Sequence, residues 1–280
     1  MSTIHADTLP VPGAELYYEM RGRGPTLLIS QSGEGGARRS EALVRELEAD
    51  FTVITYDRRG LSRSRIHGTP GGSIATHADD AHRLLAALTD APVAMLGCSM
   101  GASIGLHLAV THPGQLSTLI AHEPVSPWLL AATERAHHLA ELAECQEVFR
   151  AQGWRAALAP MVRTLGIDPA NQEIEPGVRL APIDADRARN FEYFLDHDFT
   201  AVRADHIDVA ALRDSPTRIV PATGRTTAHH VFDHKCAREL ADLRATPLVE
   251  FPGGHNGNLT HPTAYAEAVR AVLAETRSHS

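Results

Sequence analysis

Residues 93–109 read VAMLGCSMGASIGLHLA. An apolar run over 92–98 has the length and composition of a strand, and a helical pattern follows over 99–110. Between them stands Gly97-Cys98-Ser99-Met100-Gly101. A strand that passes straight into a helix must turn sharply, and crowded or positive backbone angles there suit residues without a Cβ. Gly101, Ala102, Ser103 and Gly105 give the helix a small-residue face that can press close to a sheet. The spacing G-x-S-x-G is that of a nucleophile elbow, which holds a serine Oγ above the sheet edge. A glycine-rich turn with an idle serine fits the same five residues, so the rest of the chain decides between them.

Outward from this turn, strands and helices alternate. Strands are predicted at 14–19, 26–30, 51–56, 116–122, 217–222 and 247–251, and helices at 37–49 and 74–88. Such alternation predicts an α/β fold with a mostly parallel, doubly wound sheet covered on both faces. One region breaks the pattern: 126–213 shows helical periodicity without convincing strands. It is too long for an ordinary connection. It reads as a helical cap over residues 127–213, inserted into a core made of 1–126 and 214–280. Caps of this kind shape a pocket over the C-terminal ends of the strands.

The bulk numbers narrow the function classes. The chain has 280 residues, 43% hydrophobic, with a net charge of −8 and no acidic or basic block. That is ample for one large core and argues against a nucleic-acid partner. No stretch of about 18 apolar residues predicts a membrane span, and the N-terminal MSTIHADTLPVPG lacks the apolar run of a signal peptide. Three widely spaced cysteines, Cys98, Cys145 and Cys236, point to a reduced cytoplasmic protein rather than a disulfide framework or zinc site. The 17 histidines contain no H-E-x-x-H. The pairs His137-His138 and His229-His230 read as surface or loop residues. Neither metal nor other cofactor is expected, and a homo-oligomer is left open.

Acyl transfer by a serine also needs a base, a group that orients the base, and donors for the oxyanion. His255 is the candidate base, in Phe251-Pro-Gly-Gly-His-Asn-Gly257 after the last strand. For the oxyanion, one backbone N–H is expected from Met100 and another from Gly33 or Glu34, in the glycine-rich loop after the strand at 26–30. The acid has two candidates. Glu123 stands at the tip of the strand at 116–122, in Ala121-His-Glu-Pro124, and can reach the imidazole from the adjacent strand. Asp233 lies farther on, within a predicted helix, while Pro221-Ala-Thr-Gly-Arg-Thr-Thr227 carries no carboxylate. Glu123 is favoured. Cys98 is read as a buried, inert neighbour of the serine. The apolar side chains Trp128, Phe191 and Phe194 are read as substrate-binding.

Together, Tyr17-Tyr18-Glu19, Leu96 through Ser103, Ala121 through Pro124, and Pro252-Gly-Gly-His255 through Thr260-His-Pro262 resemble the α/β-hydrolase superfamily over essentially the whole chain. Within it the combination is similar to the zearalenone lactonases and related hydrolases. The resemblance implies the α/β-hydrolase fold, a serine at Ser99, a glutamate acid at Glu123, a histidine at His255, and oxyanion donors at Gly33 and Met100. It implies that Asp57 caps a loop. It also implies an esterase or lactonase acting without cofactor on a small hydrophobic ester or lactone. Met100 replaces the serine usual at that position in the lactonases, and Phe194 is the nearest match to their cap tryptophan. Two other classes share the triad: thioesterases, aminopeptidases or other acyl-transfer enzymes, and hydrolase-fold ligand receptors. Glu141, Glu144 and Glu147 leave room for an aminopeptidase, which needs carboxylates for the substrate ammonium.

Overall fold

The computed structural model describes residues 3–169 and 171–277. The chain runs through β1 (His5–Val11), β2 (Ala14–Gly22), β3 (Thr26–Ser30), α1 (Glu41–Leu47), β4 (Thr52–Tyr56), the two-residue β5 (Arg65–Ile66), α2 (Ile74–Leu88), β6 (Val93–Cys98), α3 (Met100–Thr111) and β7 (Leu116–His122). A helical stretch follows. It holds a 3-10 turn (Pro127–Leu129), α4 (Ala132–Gln152), α5 (Trp154–Thr164), α6 (Ala185–Tyr193), a π-helical turn (Phe194–Asp198), α7 (Phe199–Arg203) and α8 (Val209–Asp214). The sheet then resumes with β8 (Arg218–Gly224), α9 (Phe232–Arg244), β9 (Val249–Phe251), α10 (Gly257–Thr260) and α11 (Pro262–Arg277).

The sheet order is β1-β2-β4-β3-β6-β7-β8-β9, with β5 on β2. From β4 to β9 every pairing is parallel; β1 and β2 run antiparallel at one edge. The central strands are apolar on both faces, as a sheet covered by helices on both sides requires. Leu28, Ile54, Met95 and Leu119 face the layer that holds α2 and α3, whereas Leu27, Val53, Leu96 and Ile120 face α1 and α11. Each such side chain is fully buried and contributes about 1.5–3 kcal/mol of transfer free energy.

Most predicted elements stand where the sequence puts them; α2 has the predicted bounds. Some differ. The helix expected at 37–49 is shorter, because the Ala37 N–H is drawn to Asp57 Oδ1 (2.6 Å) and the chain before Glu41 forms turns. α3 begins at Met100 rather than at Ser99. β1 and β5 were not anticipated, and β9 (Val249–Phe251) is shorter than the strand expected at 247–251. No helix among the described residues is long and apolar enough to cross a membrane.

Candidate active site

The turn between β6 and α3 explains why α3 starts one residue late. Ser99 has φ 54° and ψ −117°, so the left-handed backbone falls on the serine itself. That conformation costs of order 1–3 kcal/mol for a residue with a side chain and persists only where its surroundings hold it. Here the Ser99 N–H donates to His122 O (2.8 Å), while Ser99 O accepts from Ala102 N and Ser103 N. The glycines serve close approach instead. A Cβ on Gly97 would lie 2.6 Å from Ala102 Cα, and one on Gly101 would overlap the Ser30 carbonyl.

The same device recurs on the next strand. Glu123 follows β7 with φ 48°, and its N–H donates to Ala222 O (2.9 Å) on β8. Its carboxylate is fully buried. Oε1 accepts from Thr223 Oγ1 and Gly224 N, both at 2.8 Å, and Oε2 lies 2.7 Å from His255 Nδ1. Burial works against the charge, but the His255 hydrogen bond and the neighbouring imidazoles outweigh it and hold Glu123 well below the usual carboxylate range. His255 sits in the loop between β9 and α10. That loop is pressed against the end of β8, where a Cβ on Gly224 would lie 2.5 Å from Gly254 Cα.

Asp233, in the first turn of α9, also meets His255 Nδ1. The sequence offered Glu123 and Asp233 as alternatives; the structure brings both to one nitrogen. Among the described residues, no backbone N–H or hydroxyl donates to either Asp233 oxygen. Burial, and then the charge of Glu123, push Asp233 up to about 7. His255 loses from burial but gains more from Asp233 and Glu123, so it is raised well above the ordinary imidazole value.

Ser99 and His255 open into one cavity of about 540 Å³, roofed by the helical stretch. Ser32, Gly33 and Glu34 line it beside them, with Phe191 and Phe194. Phe194 lies so close that a Cβ on Gly33 would overlap its ring, which explains the glycine. The N–H groups of Met100 and Gly33 meet no backbone acceptor among the described residues.

Arg58 was not singled out in the sequence. Its buried guanidinium donates to Gln31 O and Ser32 O (both 3.2 Å) and to Gly33 O, and pairs with Asp198 (3.1 Å) on the π-helical turn. It thereby fixes the direction of the Gly33 peptide. An Arg after a strand carries no such signal alone, because the carbonyls it binds lie about one strand and one loop earlier.

Some expectations are corrected, while those for Asp57 and Cys98 agree with the structure. Trp128 does not line the cavity: its buried indole N–H needs an acceptor and takes Asp205 Oδ2 (2.8 Å), while Oδ1 of the same carboxylate pairs with His107. Glu141, Glu144 and Glu147 do not line it either. His138 is buried on α4 and bound to Glu141 Oε2 (2.6 Å), so it is not a surface residue. Asp57 accepts from Ala37 N and Arg63 N, a loop-capping arrangement. Burial pushes the Cys98 thiol up to about 12, too high for a nucleophile at neutral pH.

A family profile for the alpha/beta hydrolase fold matches residues 25–151. An uncharacterized hydrolase of Bacillus subtilis (strain 168), YraK, is 33% identical over 99% of both chains. The chain belongs to the alpha/beta hydrolase family. Solved alpha/beta hydrolase structures share the fold at lower identity. One, from a study of carboxylesterases of Nitrososphaera gargenis, has a TM-score of 0.74 at 21% identity over 98% of this chain and 100% of that one. Another, Est816, described as an N-acyl homoserine lactone degrading enzyme, has a TM-score of 0.72 at 20% identity over 95% and 99%.

Proposed function

We propose that this hydrolase cleaves carboxylic esters, lactones among them, through an acyl-serine intermediate. The observation that carries the reading is the Ser99 elbow opening into the same cavity as His255, whose Nδ1 is held by buried Glu123. Ser99 Oγ attacks the carbonyl carbon, and His255 takes its proton through Nε2. The N–H groups of Met100 and Gly33 receive the oxyanion. His255 returns the proton to the leaving alcohol, and water, deprotonated by the same imidazole, then releases the acid. Glu123 holds the tautomer with the proton on Nδ1 and stabilises the imidazolium as it forms.

The apolar part of the cavity, with Leu158, Met161, Val162, Phe191 and Phe194, supports a substrate with a sizeable hydrophobic acyl or ring portion. The likeness to zearalenone lactonases and the fold shared with Est816 support counting lactones in that class. In a lactone the leaving alcohol stays tethered, so ring opening competes with reclosure.

The test is a series of p-nitrophenyl esters and lactones with wild type and Ser99→Ala. Multiple turnover is expected, with kcat/KM rising from acetate to longer acyl chains. Ser99→Ala should lose at least about 10⁴ in kcat with an unchanged melting temperature. Full turnover by the folded variant would refute the serine mechanism. Tight lactone binding without turnover by wild type would replace it with a receptor.

A further inference from the structure

The cavity wall is far more basic than the chain. Net charge is −8 overall, yet Arg39, Arg155 and Arg187 line the cavity, and Glu34 is the single carboxylate among its described lining residues. These cations are held in place. Trp154 and Phe191 stack parallel, centroids 5.7 Å apart at 5°. The Arg155 guanidinium lies 4.5 Å over Trp154, and that of Arg187 lies 5.4 Å from the centroid of Phe191. Two cations thus flank an aromatic pair, and each guanidinium is oriented by a ring face.

Their charge is only partly met. Glu34 Oε1 takes both Nε (2.9 Å) and Nη2 (2.7 Å) of Arg187, and lies 3.2 Å from Arg39 Nε. One carboxylate therefore serves two guanidiniums. Burial pushes Arg39 below the ordinary guanidinium range; Glu34 opposes this and Arg187 adds to it. Arg155, which is exposed to solvent as well as lining the cavity, has no carboxylate partner among the described residues. A planar fork of N–H donors left unpaired beside an apolar cavity matches a carboxylate in two-point contact.

We propose that the substrate carries a free carboxylate besides its scissile ester or lactone, and that Arg155, with Arg187 and Arg39 behind it, selects for that charge. The assignment rests on the ester reading for the reacting end and on the cationic wall for the other. Apolar portions of the substrate would lie along Phe191 and Phe194, between the two ends.

The test compares the mono-p-nitrophenyl ester of glutaric acid, which keeps a free carboxylate, with uncharged p-nitrophenyl hexanoate. At low ionic strength the charged ester should be favoured in kcat/KM by about tenfold, the order that one charge-assisted pair supplies. Added salt should shrink the preference, and Arg155→Gln should shrink it severalfold, mainly through KM. Equal or poorer use of the charged ester, insensitive to salt, would overturn the proposal while leaving the ester reading intact. If neither ester is hydrolysed the ester reading falls. Equilibrium binding of the same two probes to wild type then decides the proposal: stronger binding of the charged probe upholds it, and equal or weaker binding overturns it.

Discussion

Two carboxyl groups meet one imidazole nitrogen at His255, and their surroundings differ. Glu123 receives Thr223 Oγ1 and Gly224 N besides His255, and donors to the charged form stabilise it. Asp233 receives neither kind of donor, so negative charge is held better on Glu123 than on Asp233. Under the proposed mechanism Asp233→Asn should therefore change kcat less than Glu123→Gln, because Asp233 is the carboxyl whose charge is disfavoured by burial and by Glu123. Burial raises Asp233 most and the Glu123 charge adds to it; Glu123→Gln removes the second cause, so Asp233 ionises more readily and orients the imidazole in its place. The loss should be about 10² for Glu123→Gln and should approach 10⁴ only in the double variant. Purified variants that fall in the reverse order would make Asp233 the acid. The pH profile reads the same pair. Attack requires neutral His255, and the carboxylates favour the charged imidazole, so kcat/KM should rise with pH along a limb above the ordinary value of about 6.5. That limb should fall toward the ordinary value only in the double variant, where no carboxylate faces the ring, and a profile flat across this range in wild type would remove His255 as the base.

At the scale of elements, the elbow works because β6 and α3 touch. A Cβ on Gly105 would lie 2.5 Å from Leu119 Cδ1 on β7, so α3 lies directly on the sheet. Gly101 sits against the Ser30 carbonyl at the end of β3, and Gly101→Ala must push α3 away from it. It should cost about 1–3 kcal/mol in denaturant unfolding, the range for overpacking, and should lower kcat as well because Met100 N–H moves with the helix. A stable, fully active Gly101→Ala would show that the helix start is not fixed by this contact. Elements with strong local patterns were readable in advance: β3, β7 and α2, and the turns that carry Ser99 and His255. β1 was not, because most of its side chains are exposed and only Leu9 and Val11, at its end, pack on apolar neighbours, too short an alternation to stand out. Trp128 was misplaced for a related reason: an aromatic residue in a helical stretch announces burial but not which neighbour it faces. The meeting of Glu123 and Asp233 needed β7, α9 and the loop before α10 in place together, and no local signal reports that.

Over the whole molecule, the helical stretch is tied to the sheet through charge buried between them. Asp198, on the π-helical turn, pairs with Arg58 at 3.1 Å and lies 3.4 Å from His77 on α2. Both Asp198 and Arg58 are buried. Burial works against the charge, but the close approach of the His77 ring and the Arg58 charge overcome it and hold Asp198 below the usual carboxylate range. Because Arg58 also grips the carbonyls of Gln31, Ser32 and Gly33, one ion pair links the cavity roof to the loop expected to supply an oxyanion donor. Asp198→Ala leaves the Arg58 charge buried without its partner, which typically costs about 3–5 kcal/mol. Arg163 and Glu144 make an exposed pair on the outside of α4 and α5, with side chains 63% and 55% exposed. Arg163→Ala should therefore cost less than about 1 kcal/mol. The two variants should also separate in activity. Loss of Asp198 lets the Gly33 peptide turn, so kcat should fall for every ester irrespective of acyl length, whereas Arg163→Ala should retain it. Equal melting temperatures and equal kcat values for the two would mean that the roof and the oxyanion loop are held by apolar packing alone, and that Arg58 serves the loop without help from the helices above it.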